Sequence, residues 1–120
     1  MQLRDDIPVI SLDGRVFVGL ENAETGEVDA RTRFEYHQDG SIIWAEYSGG
    51  EVLRGYLVGT RKDDSLDFRY THLNAQMQTA NGVCSSVISI LPDGRVALNE
   101  EWAWESRPET GSSIVVEVGR

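Results

Sequence analysis

The sequence predicts an all-β fold, an antiparallel up-and-down β-barrel of about eight to ten strands. Three observations lead there. Apolar residues recur at every second position in nearly every apolar segment, as in Leu66-Asp67-Phe68-Arg69-Tyr70-Thr71-His72 and Val96-Ala97-Leu98-Asn99-Glu100-Glu101-Trp102-Ala103-Trp104. No window of helical length keeps an apolar helix stripe clear of glycine, β-branched residues or turn signals. Asp-Gly occurs at Asp13-Gly14, Asp39-Gly40 and Asp93-Gly94, each time before a strand-like run.

The elements follow from these turns. A first strand, 7–12, stops at Asp13-Gly14, where glycine supplies the positive φ that a tight hairpin needs. Strand 15–21 runs into the acidic Glu21–Asp29 stretch, and strand 31–38 carries the alternation Arg33-Phe34-Glu35-Tyr36 up to Asp39-Gly40. Strand 41–48 ends at Ser48-Gly49-Gly50-Glu51, and strand 51–60 at Lys62-Asp63-Asp64-Ser65. Strands 66–74 and 82–91 follow. Pro92-Asp93-Gly94 then reads as a three-residue bulged loop, with proline presetting φ and glycine taking the left-handed position. Strands 95–105 and 113–119 complete the set.

A chain of 120 residues with 40% hydrophobic residues suits one domain, expected over 1–120. Net charge −9 argues against nucleic acid and anionic membrane surfaces as partners, since both need a basic footprint. Cys84 is the single cysteine and residues 1–6 carry no apolar stretch, so a cytoplasmic protein is expected.

Alternating strand direction gathers the Asp-Gly turns and Lys62–Ser65 at one end. The opposite end receives Glu21–Ala30, Ser48–Glu51, Leu73–Asn81 and Ser106–Gly111, three of them long, which makes it the expected mouth. Pairing Ile90 with Val96 across Pro92–Gly94 puts Cys84, Ser86, Ile88, Leu98, Glu100, Trp102 and Trp104 on one face. A matching three-residue loop at Gln38–Gly40 puts Phe34, Tyr36, Ile42, Trp44 and Glu46 on one face, which a Gly49-Gly50 turn carries onto Leu53, Gly55, Leu57 and Gly59. Leu66, Phe68, Tyr70 and His72 extend it. A two-residue loop at Asp39-Gly40 would instead group Arg33 and Glu35 with Trp44; the first register gives the more apolar interior. Register decides everything here, because a slip of one residue exchanges the two faces.

On that reading Ile42, Leu57, Leu66, Ile90 and Val96 pack the tight-turn half. Polar and aromatic groups collect toward the mouth: Tyr36, Trp44, Glu46, Tyr70, His72, Glu100, Trp102 and Trp104 are the candidate ligand-binding residues. A buried carboxylate is costly unless paired or solvated, so this half is expected to be a cup rather than a dry plug. The tryptophans could stack on a ring or acyl chain. Glu46, His72 and Glu100 are the candidate catalytic residues, since a carboxylate beside an imidazole can shuttle protons in a lyase or isomerase. No metal and no cofactor is expected: two distant histidines show no H-x-H or C-x-x-C pattern, and no phosphate loop or dinucleotide fingerprint occurs. Cys84 reads as a small buried hydrophobe.

Several segments resemble a family of small bacterial proteins that often carry the label "N-acetylglutamate synthase". They are Glu21-Asn22-Ala23-Glu24-Thr25-Gly26-Glu27, Phe34-Glu35-Tyr36-His37-Gln38-Asp39-Gly40, Glu46-Tyr47-Ser48-Gly49-Gly50, Gly55-Tyr56-Leu57-Val58-Gly59, Phe68-Arg69-Tyr70-Thr71-His72-Leu73-Asn74 and Glu100-Glu101-Trp102-Ala103-Trp104. The resemblance implies a small bacterial cytosolic protein and carries no catalytic residues over. Synthase activity itself is not expected, because no Arg/Gln-x-x-Gly-x-Gly/Ala loop precedes a helix pattern. The barrel also resembles the calycin architecture of lipocalins and avidins, a likeness of fold. The leading expectation is therefore a small molecule bound in the barrel mouth. A proton-transfer enzyme is the alternative, and a ligand-free interaction module is the third reading. For partners, the outer face formed by Ile43, Tyr47, Val52, Tyr56 and Val58 is the candidate homodimer surface.

Overall fold

The computed structural model describes residues 10–22 and 26–118. It is a closed barrel in which β1 (Val16–Asn22), β2 (Arg33–Asp39), β3 (Ile42–Gly49), β4 (Val52–Lys62), β5 (Ser65–Asn74), β6 (Thr79–Ile90), β7 (Val96–Trp104) and β8 (Thr110–Glu117) pair in chain order. All neighbours are antiparallel, and β1 pairs with β8 to leave no free edge. The all-β, up-and-down barrel expected from alternation is the observed fold. The expected strand 7–12 is not part of it: residues 7–9 lie outside the described residues, and 10–12 form no strand.

Residues 10–15 instead close the tight-turn end. Leu12 is fully buried, its N–H bonded to Gln38 Oε1, while the Gly14 N–H donates to the Tyr36 carbonyl and the Tyr36 N–H to that of Arg15. Above this floor, Phe17, Ile43, Leu66, Ile88, Val96, Leu98 and Val115 fill the barrel's lower half. Each is supplied by the inward face of its strand, so the period-two pattern is spent on one continuous core.

The β6–β7 hairpin has the expected register. Ile90 pairs with Val96, Ser86 with Glu100 and Cys84 with Trp102, and the Leu91 N–H bonds the Arg95 carbonyl around Gly94 at φ +90°. The β2–β3 hairpin differs. Asp39 pairs with Ile42, so the loop is the two residues Gly40-Ser41 in place of the expected three, Gln38–Gly40. Gly40, at φ +61°, holds the first central position of a two-residue turn, where glycine is the residue that fits.

That change exchanges the faces of β3. Ile43, Ala45 and Tyr47 are buried in the barrel, whereas Ile42 and Trp44 stand outside. On β4 a bulge between Val52 and Arg54 turns both Leu53 and Arg54 outward, which buries Val52 and Gly55 together. Ile43, Tyr47 and Val52 are therefore core residues and cannot belong to a homodimer surface. The outer face of β3 and β4 is formed by Ile42, Trp44, Leu53, Tyr56 and Val58. Ile90, expected in the core, is also exposed at the barrel's end.

Candidate functional site

The upper half of the barrel encloses a cavity of about 50 Å³, at the end where the β1–β2 and β7–β8 loops lie. Its wall is Phe34, Tyr47, Leu57, Phe68, Tyr70, Cys84, Trp102 and Trp104, with His72, Glu100 and Ser113 as polar members. Gly26, Glu27 and Val28 of the β1–β2 loop close the top. Such a space takes a few water molecules. Pockets that engulf a drug-sized ligand run to about 300–1,000 Å³. A larger guest must displace the loop.

Period two explains how these groups meet. Phe68, Tyr70 and His72 are successive inward residues of β5, and Glu100, Trp102 and Trp104 those of β7. The rings touch edge to face: Trp102 on Trp104 at 5.6 Å between centroids, Tyr70 on Trp104 at 5.7 Å, and His72 on Trp104 at 5.8 Å. Glycines make room for them. A Cβ on Gly55 would sit 2.5 Å from the Tyr47 ring.

Glu100 is the buried carboxylate of the wall. It accepts a hydrogen bond of 3.0 Å from Ser113 Oγ, and burial pushes its pKa up to about 7 against that bond. Near it the chain holds two further buried hydroxyls: Ser86, its cross-strand neighbour, and Tyr36, whose phenol burial and the charge of Glu100 both keep protonated. Neither hydroxyl has a hydrogen-bond partner. The lower wall is thus apolar in its bulk and rich in unused hydrogen-bonding capacity at one point.

A hydrogen-bonded line runs from the cavity to the mouth. The Tyr47 hydroxyl lies 3.0 Å from His72 Nδ1, and His72 Nε2 lies 2.8 Å from Glu27 Oε1. Glu27 Oε2 also accepts from Asn74 Nδ2 at 3.0 Å and from an Arg107 terminal nitrogen at 3.3 Å. Burial opposes ionisation of Glu27, but the hydrogen bonds from His72 and Asn74 and the charge of Arg107 hold its pKa below the usual carboxylate value. Burial lowers the pKa of His72 more than Glu27 raises it, so the imidazole is neutral at pH 7.

Tyr70, His72, Glu100, Trp102 and Trp104 are thus brought together on the cavity wall. Tyr36 is buried inside the barrel, behind that wall. Trp44 and Glu46 are corrected: the β3 register puts both outside, where Trp44 stacks on His37 at 5.3 Å and Glu46 Oε1 lies 2.7 Å from His37 Nε2. Glu46, His72 and Glu100 therefore do not assemble as a catalytic trio. Cys84 is buried on the wall, and burial raises its thiol pKa, in keeping with an inert apolar side chain.

One family model matches the sequence, that of the avidin-like protein, over residues 10–118. The chain belongs to this family. Avidin-like membership accords with the closed calycin-type barrel, and it lends no support to the synthase label. Comparison with curated proteins and with solved structures returns no match.

In this avidin-like barrel the sequence reading missed Tyr47, Glu27, Asn74 and Arg107. Tyr47 went to the wrong face with β3. The others sit in or beside loops, where alternation carries no information; Glu27 also lies in an acidic stretch that reads as a solvated surface.

Proposed function

We propose that the protein binds a small, largely apolar molecule in the mouth half of its barrel. The observation that carries this reading is Glu100, a buried carboxylate on the wall of a largely apolar, aromatic-rich cavity. Buried polar capacity with one hydroxyl as its hydrogen-bond partner is destabilising, and a ligand group that bonds Glu100 offsets that cost. The aromatic rings above it supply contact area for the rest of the guest. Binding is favoured over proton-transfer catalysis because Glu46 is outside and His72 is engaged through both ring nitrogens. Titrating a panel of small aromatic and heterocyclic molecules against intrinsic tryptophan fluorescence tests the reading. Saturable quenching that Glu100→Ala and Trp102→Ala abolish is expected; no saturable response across the panel overturns it.

The site of action is proposed to be the cytoplasm, a reading supported by the lone buried thiol of Cys84. A second copy of the chain is the proposed protein partner, on the face of Ile42, Trp44, Tyr56 and Val58, whose exposure of 36–59% is high for such large apolar side chains. Sedimentation velocity checks this. A dimer converted to monomer by Val58→Glu is expected, and a monomeric wild type rejects it.

A further inference from the structure

Glu27 is the one member of the mouth cluster supplied by the loop that covers the cavity; its three partners come from elsewhere. His72 and Asn74 lie on β5, and Arg107 on the β7–β8 loop. Each partner is also held by contacts that do not involve Glu27. His72 is fixed by Tyr47 through Nδ1 and wedged edge-on against the Tyr47 and Trp104 rings. The Asn74 side-chain oxygen accepts from the N–H groups of Gln76 and Gln78, each at 3.0 Å, which aims its amide nitrogen at Glu27. The Arg107 guanidinium lies over the Trp104 ring, 4.7 Å from its centroid. The donors are preorganised, so they stay in place if Glu27 leaves.

We propose that His72, Asn74 and Arg107 form a carboxylate-binding subsite that Glu27 fills in cis, and that the ligand of the cavity carries a carboxylate which replaces it. The proposal rests on the binding reading above and assigns the chemistry of its guest. Two carboxylate oxygens meet three donors, Oε1 with His72 and Oε2 with Asn74 and Arg107, which matches the acceptor geometry of a carboxylate and uses charge-assisted bonds. His72 is neutral, so Arg107 is the cation of the cradle, and a monoanion balances it as Glu27 does. Geometry also couples the swap to opening. Glu27 lines the cavity together with its neighbours Gly26 and Val28, so its departure removes the roof and lets the body of the guest reach Trp102, Phe68 and Glu100.

The test uses acetate, benzoate and neutral benzamide as probes, at constant ionic strength, read by tryptophan fluorescence and by thermal unfolding. Glu27→Ala is expected to bind acetate and benzoate saturably and to regain thermal stability with them, with benzoate affinity at least about tenfold above that of the wild type, where Glu27 competes. Adding Arg107→Ala is expected to remove that gain. Glu27→Gln keeps the loop's shape and serves if the alanine variant does not fold; it too is expected to favour benzoate over the wild type, with benzamide affinity unchanged. If benzamide binds these variants as well as benzoate does, the cavity is a binding site and the carboxylate subsite is wrong. If none of the probes binds, the subsite falls together with the reading on which it rests.

Discussion

The hydrogen bond between Tyr47 and His72, 3.0 Å from phenol oxygen to Nδ1, sets the tautomer of the imidazole. Glu27 is ionised and accepts from Nε2, so that nitrogen carries the proton and Nδ1 accepts from the tyrosine hydroxyl. The direction is fixed because the neutral imidazole has its single proton on Nε2, so Nδ1 can only accept, and burial keeps the Tyr47 phenol protonated as the donor. A core residue of β3 thereby orients a mouth residue of β5, and the mouth residue anchors the loop.

Tyr47→Phe tests this line at its inner end. It keeps the ring contacts with Phe34 at 4.7 Å and removes only the donor, leaving Nδ1 buried without a partner. A loss of about 1–3 kcal/mol in unfolding free energy is expected. Nitrogen chemical shifts of His72 are expected to report the Nε2–H form in the wild type and a tautomer mixture in the variant. The histidine also sets an acid limit. Its folded pKa is below the unfolded value of 6.5, so its contribution is present above that pH and fades as pH falls toward the folded pKa.

Glu100 has the opposite sign. Its carboxyl, near 7 in the folded protein and 4.5 unfolded, favours the protonated form on folding. Its contribution is full below pH 4.5, is lost as pH rises toward 7, and changes no further above that. The size is about 3 kcal/mol, at 1.36 kcal/mol per unit. Chemical denaturation of wild type and Glu100→Gln between pH 4 and 8 checks it. The variant is expected to gain relative stability as pH rises, whereas parallel curves would show that Glu100 titrates normally.

Register on β3 predicts paired outcomes at adjacent positions. Ile43 is fully buried and Ile42 is 51% exposed, so Ile43→Ala is expected to cost about 2–5 kcal/mol and Ile42→Ala about 0.5 kcal/mol or less. Equilibrium urea unfolding of the two variants decides the face. Equal losses would mean that β3 is not held in this register.

The same strand shows what the sequence could carry. Alternation is a property of one strand and survives any pairing, so the barrel, the inward face of β5 and the whole β6–β7 hairpin were legible. Pro92 and Gly94 together specified a loop length, which fixed that register. At residues 38–41 only one glycine marks the turn. A three-residue loop at Gln38–Gly40 and a two-residue turn are both acceptable around it, and the choice between those loop lengths moves Trp44 and Glu46 out and Tyr47 in. Bulges are equally silent: nothing in Val52-Leu53-Arg54 announces that two consecutive residues turn outward. His72, Glu100 and the tryptophans of β7 were readable because their strands were; Glu27 and Arg107 reach the site through loop geometry that only the folded chain defines.

Gly55 tests how tightly the relay is packed. It sits in mid-strand on β4, opposite both Tyr47 and His72 in the sheet. A Cβ there would lie 2.5 Å from two atoms of the Tyr47 ring and 2.9 Å from His72 Cβ. Both neighbours are buried and neither is a flexible chain end, so the methyl group cannot be accommodated by a rotamer change. Gly55→Ala is expected to destabilise by about 1–3 kcal/mol, although alanine is the better strand residue, and to break the Tyr47–His72 bond. With the imidazole displaced, Glu27 loses its shortest hydrogen bond and the loop its anchor. Faster amide hydrogen exchange in residues 26–28, alongside lowered thermal stability, is the expected reading. A variant as stable as the wild type, with unchanged exchange in that loop, would show that the ring of Tyr47 has room to move and that the relay does not hold the roof.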